Sequence, residues 1–118
     1  MALRIKITPP ASEDLVNIEA YIKDEFDNPT AAKRTVKKIM KSYLTLSKSP
    51  YAGFSAKGKY GANTHYRVLI SGQYVIFYEV NETDNIVNII NIFHSKQNYI
   101  RKLFPDFEYD IDEEESSV

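Results

Sequence analysis

The sequence predicts a two-layer α/β domain of the α+β type, ordered β-α-α-β-β-β, with a helical hairpin packed on a mainly antiparallel sheet. Three observations carry this. An alternating segment, Leu3-Arg4-Ile5-Lys6-Ile7, opens the chain. Two apolar-periodic stretches joined by Asp27-Asn28-Pro29 follow it, and three strand-like segments separated by short polar turns come after them. A length of 118 residues with 43% hydrophobic and 26% charged residues fits one domain.

The first strand is read from alternation: Leu3, Ile5 and Ile7 share one face, Arg4 and Lys6 the other. Thr8-Pro9-Pro10 then starts a helix, with Thr8 as cap and Pro9 where no amide donor is needed. Ala11, Leu15, Ile18, Ile22 and Phe26 recur at helical spacing. Asn28 caps a second helix that is expected to reach Ser47, with Pro29 in its first turn. Its apolar stripe is Ala32, Val36, Ile39, Met40, Tyr43, Leu44 and Leu46, and Lys33, Arg34, Lys37, Lys38 and Lys41 occupy the other face. So short a connection predicts an antiparallel helical hairpin.

Ser49 to Gly53 ends the hairpin, and residues 54–63 are expected to form a loop bearing Lys57 and Lys59. Strands are expected over 64–70, 73–80 and 86–93, the first two joined through Ser71-Gly72 and the last two through a polar turn at 81–85. The last strand is apolar on both faces, as a central strand is. Residues 94–104 read as a short helix or turn. The domain is therefore expected to span 1–104, followed by a flexible acidic tail over 105–118.

Charge is divided along the chain. Residues 1–104 hold all fifteen Lys and Arg against nine acids, a net +6, while the last fourteen residues hold seven acids and no base. A basic body suits an anionic partner, either nucleic acid or an acidic protein segment. The acidic tail is expected either to solubilise the chain or to lie along the basic surface as an autoinhibitor. The absence of cysteine excludes disulfides, thiolate metal sites and a cysteine nucleophile. His65 and His94 do not form a metal-ligand spacing, and no cofactor is expected. No apolar run approaches the length of a membrane span, and the first residues do not resemble a signal peptide, so a cytoplasmic location without membrane contact is expected.

Phosphate-cradling glycine loops and a nucleophile elbow are absent. What remains is a set of cationic and hydroxyl groups: Lys57, Lys59, His65, Arg67, His94, Lys96, Tyr99 and Arg101. Lysine and arginine would offset charge on a transferred phosphate, and histidine or tyrosine would move the proton. The same set equally suits docking on an acidic protein. Arg67 on a strand and His94 at a strand end each have a structural alternative as well, in pairing across the sheet or in satisfying a backbone carbonyl.

The stretch Ile7-Thr8-Pro9-Pro10-Ala11-Ser12-Glu13-Asp14-Leu15, then Tyr21-Ile22 and Asn28-Pro29-Thr30-Ala31-Ala32, resembles the start of the RelE/ParE superfamily of bacterial toxins. Leu46, Pro50 and Gly53, Tyr66-Arg67, Tyr74-Val75-Ile76-Phe77-Tyr78, and Ile92-Phe93-His94-Ser95-Lys96-Gln97-Asn98-Tyr99 continue the resemblance over residues 3 to 104. It implies the toxin of a type II toxin–antitoxin, or plasmid-stabilisation, module that arrests growth and is held by a RelB- or ParD-like antitoxin. The junction Asp27-Asn28-Pro29 and the lack of arginine at Tyr74 resemble the ParE-like branch, which implies inhibition of DNA gyrase without enzymatic turnover. The alternative is a RelE-like ribosome-dependent endoribonuclease acting on mRNA, for which Arg67, His94, Lys59 and Tyr99 are the candidate catalytic residues. A non-toxic interaction module is the third reading. Lys57, Lys59, Arg67, Lys96 and Arg101 are candidates for target or nucleic-acid contact, and Lys33, Lys37, Lys41 and Arg67 for antitoxin contact.

Overall fold

The structure, a computed structural model, describes residues 2–60 and 64–95, with Lys59 and Tyr60 by their backbone alone. Strand β1 (Arg4–Ile7) leads into helix α1 (Pro9–Phe26) and helix α2 (Pro29–Leu44), which a 3-10 turn (Thr45–Ser47) prolongs. Strand β2 (Phe54–Ser55), helix α3 (Ala56–Tyr60), and strands β3 (Arg67–Ser71), β4 (Tyr74–Asn81) and β5 (Ile86–His94) follow. The sheet order is β1-β5-β4-β3-β2, with β1 parallel to β5 and all other pairs antiparallel.

The helical hairpin forms as its caps require. Thr8 Oγ1 accepts from the Ala11 amide and Asn28 Oδ1 from the Ala31 amide, each with proline in the first turn. Asp27, in left-handed conformation, turns the chain between the helices. Ala11, Ile39, Tyr43 and Leu46 pack on Ile76, Tyr78, Val87, Ile89 and Ile92 to make the core between helices and sheet. The expected stripe of α2 divides in the structure: Ala32, Ile39 and Tyr43 are buried, whereas Met40 and Leu44 are exposed.

Two expectations need correction. Residues 54–63 do not form a simple loop. Phe54 and Ser55 pair with Val68 and Arg67, and Ala56, 0% exposed, anchors α3 against the sheet face opposite the hairpin. The strand expected at 64–70 runs from Arg67 to Ser71, and the turn that follows is Gly72-Gln73, where Gly72 supplies the positive φ of 59°. The element order therefore gains a strand and a helix. On the sheet face opposite the hairpin, Ala56, Val68, Val75, Phe77 and Phe93 form a second apolar cluster. The expected helix or turn at 94–104 lies beyond the described residues from Lys96 on, as does the acidic tail.

β5 is an interior strand, between β1 and β4, and apolar clusters cover both of its faces; a bulge divides it. Phe77 pairs with Asn91 while Tyr78 pairs with Ile89, so Ile90 is left over. Thr8 Oγ1 donates to the carbonyls of Ile89 (2.7 Å) and Ile90 (3.0 Å), and Asp14 Oδ2 accepts from the Ile92 amide (2.8 Å) and from Asn91 Nδ2 (3.1 Å). The first turns of α1 thus satisfy backbone groups that the bulge and the end of β1 leave without a strand partner.

Candidate functional site

Arg67 begins β3 at the corner where β2 and α3 meet the sheet. Its cross-strand partner is Tyr78, whose side chain belongs to the helix-facing core, so Arg67 projects toward that layer. There the chain leaving the hairpin passes over it. Arg67 Nη2 donates to the carbonyls of Gly53 (2.5 Å) and Tyr51 (3.3 Å), and the guanidinium lies 5.1 Å from the centroid of the Tyr51 ring. Tyr78 adds a third fastening, as its hydroxyl accepts from the Gly53 amide at 3.0 Å. The approach is so close that a Cβ on Gly53 would stand 2.3 Å from the Val68 carbonyl oxygen and 2.8 Å from the Tyr78 hydroxyl. Tyr51 hydrogen bonds Glu82, and this bond is the largest cause holding its phenol above the usual tyrosine range.

His94 ends β5 opposite Tyr74, its ring 5.3 Å from the Tyr74 ring and its Nε2 3.2 Å from Gln73 Oε1. Arg67 is registered with Tyr78 on one side of β4 and His94 with Tyr74 on the other. Four residues along a strand and two strand spacings separate their backbones by roughly 16 Å. The two candidates for a phosphodiester site are therefore not brought together. Lys57 is exposed on α3, at the Arg67 corner but over the opposite sheet face, because the Ala56 amide bonds the Tyr66 carbonyl. His65 also stands on that side, paired with Glu79 at 2.9 Å.

Lys33, Lys37 and Lys41 are all exposed on α2. Helical spacing sets them on one outward face with Met40 and Leu44, which are 40% and 51% exposed. Beside this face runs a shallow groove between α1 and α2, lined by Val16, Ala20, Lys23, Pro29, Ala32 and Lys33.

Residues 5–99 match a family described as the ParE toxin of the type II toxin–antitoxin system parDE. The chain belongs to the ParE toxin family. Its fold is similar to that in a chromosomal ParDE system from Pseudomonas aeruginosa, with a TM-score of 0.66 and 17% identity over 80% of this chain and 98% of that one. It is also similar to the toxin–antitoxin complex RelBE2 from Mycobacterium tuberculosis, with a TM-score of 0.57 and 14% identity over 80% of this chain and 92% of that one. An archaeal RelE–RelB complex from Pyrococcus horikoshii gives 0.55 and 16% identity over 82% and 99%. No curated protein sequence matches the chain.

Within this ParE-family toxin, Arg67 and His94 are proposed site residues whose side-chain contacts lie among the described residues. Lys96, Tyr99 and Arg101 lie outside the described residues, and of Lys59 only the backbone position in α3 is described. The sequence reading did not anticipate that Tyr51, Gly53 and Tyr78 act with Arg67. Gly53 was the available signal, since a glycine one residue before a strand marks a close backbone approach. Among the described residues, groups of three or more His, Asp or Glu side chains able to hold a metal ion are absent. None of the described helices is long and apolar enough to cross a membrane.

Proposed function

We propose that this ParE-family toxin arrests growth by binding DNA gyrase, without catalysing RNA cleavage. The observation that favours this reading is the fate of Arg67. Its Nη2 donates to two backbone carbonyls, and His94 stands at the far end of the sheet. A ribonuclease needs a cation and a proton carrier converging on one phosphate, within hydrogen-bond reach of the reacting atoms. The proposed target contacts are Lys57 and Lys59 on α3 and Arg67 at the start of β3, together with Lys96 and Arg101, which lie outside the described residues.

The proposed partner in the cytoplasm is a cognate antitoxin with an acidic, apolar segment that folds on binding. The outward face of α2 suits it: Lys33, Lys37 and Lys41 offer charge, while Met40, Leu44 and the interhelical groove offer apolar surface.

Purified toxin is expected to inhibit gyrase supercoiling or to trap cleaved DNA, and to leave ribosome-bound mRNA intact. Normal supercoiling at excess toxin, together with mRNA cleavage that His94→Ala abolishes, would establish the ribonuclease reading instead. Growth unaffected by strong induction without antitoxin would indicate a non-toxic interaction module.

A further inference from the structure

β1 is an edge strand, and its hydrogen-bonding phase shows which groups remain open. The Arg4 amide donates to the Asn85 carbonyl and the Thr8 amide to the Ile89 carbonyl, so the even-numbered residues face β5. By alternation, Leu3, Ile5 and Ile7 turn their amides and carbonyls outward. Leu3 is already closed: its amide donates to the Ser47 carbonyl (2.8 Å) and its carbonyl accepts from Ser47 Oγ (2.6 Å). Ile5 and Ile7 have no such cover among the described residues. Their side chains pack against the helix-side core, while Arg4 and Lys6 project from the other face and are exposed. The open edge therefore asks for a short strand with apolar residues on one face and acids on the other.

The chain carries such a segment. Tyr109-Asp110-Ile111-Asp112 alternates apolar and acidic residues with a strand period, and it lies in a tail that has no basic residue. We propose that the outer edge of β1 is the docking site for this tail of the same chain, which adds as an antiparallel strand. With Tyr109 opposite Ile7 and Ile111 opposite Ile5, Asp110 meets Lys6 and Asp112 meets Arg4. This register ends before the position that Ser47 closes. The tether is long enough. From Ser95 to the outer side of Ile7 is roughly 22 Å, six residues back along the strand and two strand spacings across. Residues 96–108 can span roughly 40 Å. The docked tail would exclude any other extended acidic segment from the same edge, whatever the toxin's target.

Amide hydrogen exchange on the full-length chain tests the proposal residue by residue. In the wild type at low salt, the Ile5 and Ile7 amides should be protected. Asp110→Lys with Asp112→Lys, and separately Tyr109→Pro, should each accelerate both amides at least tenfold. Arg4 and Thr8, bonded to β5, should exchange unchanged in all three proteins, which shows that the fold is intact. Equal, fast exchange of Ile5 and Ile7 in wild type and variants would overturn the proposal and leave Arg4 and Lys6 as charges that keep the edge unpaired. Protection that rises with protein concentration would overturn it too, assigning the edge to the tail of a second copy.

Discussion

Arg67 and the lysines of α2 carry the same charge in opposite surroundings. Arg67 is half-buried, its Nη2 bound to two carbonyls and its Nε enclosed without a hydrogen-bond partner among the described residues. Lys33, Lys37 and Lys41 stand in solvent on a helix whose opposite side forms the core. The difference follows from geometry. A guanidinium has several donors in a rigid plane and can fasten a loop, whereas an ammonium on a flexible stem gains little by leaving water. A basic residue at a strand end beside a chain reversal is thus a structural group first, and a basic helix face is a surface for encounter.

The largest expected effect lies at the loop that Arg67 holds. Gly53→Ala should destabilise the domain by about 3 kcal/mol in urea denaturation, since its Cβ would be driven into backbone that cannot yield. Gly58→Ala, whose nearest neighbour would be the Ser55 Cβ at 3.8 Å, should be neutral or gain up to about 1 kcal/mol. If the two variants proved equally stable, the Arg67 corner would not be the rigid region described.

Next in size is the contrast between the cations themselves. Arg67→Ala should cost about 2 kcal/mol, because it strips the Gly53 and Tyr51 carbonyls of their donor. The combined change of Lys33, Lys37 and Lys41 to alanine should move stability by no more than about 0.5 kcal/mol per site. That triple variant should instead slow association with an acidic antitoxin, and the slowing should fade as salt is raised. The comparison breaks if stability follows the lysines or association follows Arg67.

The smallest effect concerns pH. Burial raises the phenols of Tyr43 and Tyr74 above 10.0. Each therefore contributes stability that is complete below pH 10.0 and lost as pH rises through the higher folded value. Melting temperatures between pH 7 and 11 should fall only in the alkaline limb. Tyr43→Phe should flatten that fall while changing neutral stability little, and an unchanged alkaline limb would show that Tyr43 does not contribute.

Local signals in the sequence determined the hairpin, the meander and the interior place of β5. Thr8 and Asn28, each followed by proline, mark helix starts, period 2 and period 3.6 separate strand from helix, and a strand that is apolar on both faces has to be covered twice. The same local chemistry carries the resemblance to the ParE family, because its motifs are caps, turns and strand ends. Tertiary structure alone decided the rest. The pairing of Phe54 and Ser55 with Val68 and Arg67 joins residues too short in run to show a period. The bulge at Ile90, held by Thr8 and Asp14, depends on contacts about eighty residues apart in the chain. That Arg67 lies against the carbonyls of Tyr51 and Gly53 is likewise set by contacts distant in the chain. Charge and hydrogen-bonding capacity are written in the side chain, but what satisfies them is set by the chain that folds over it.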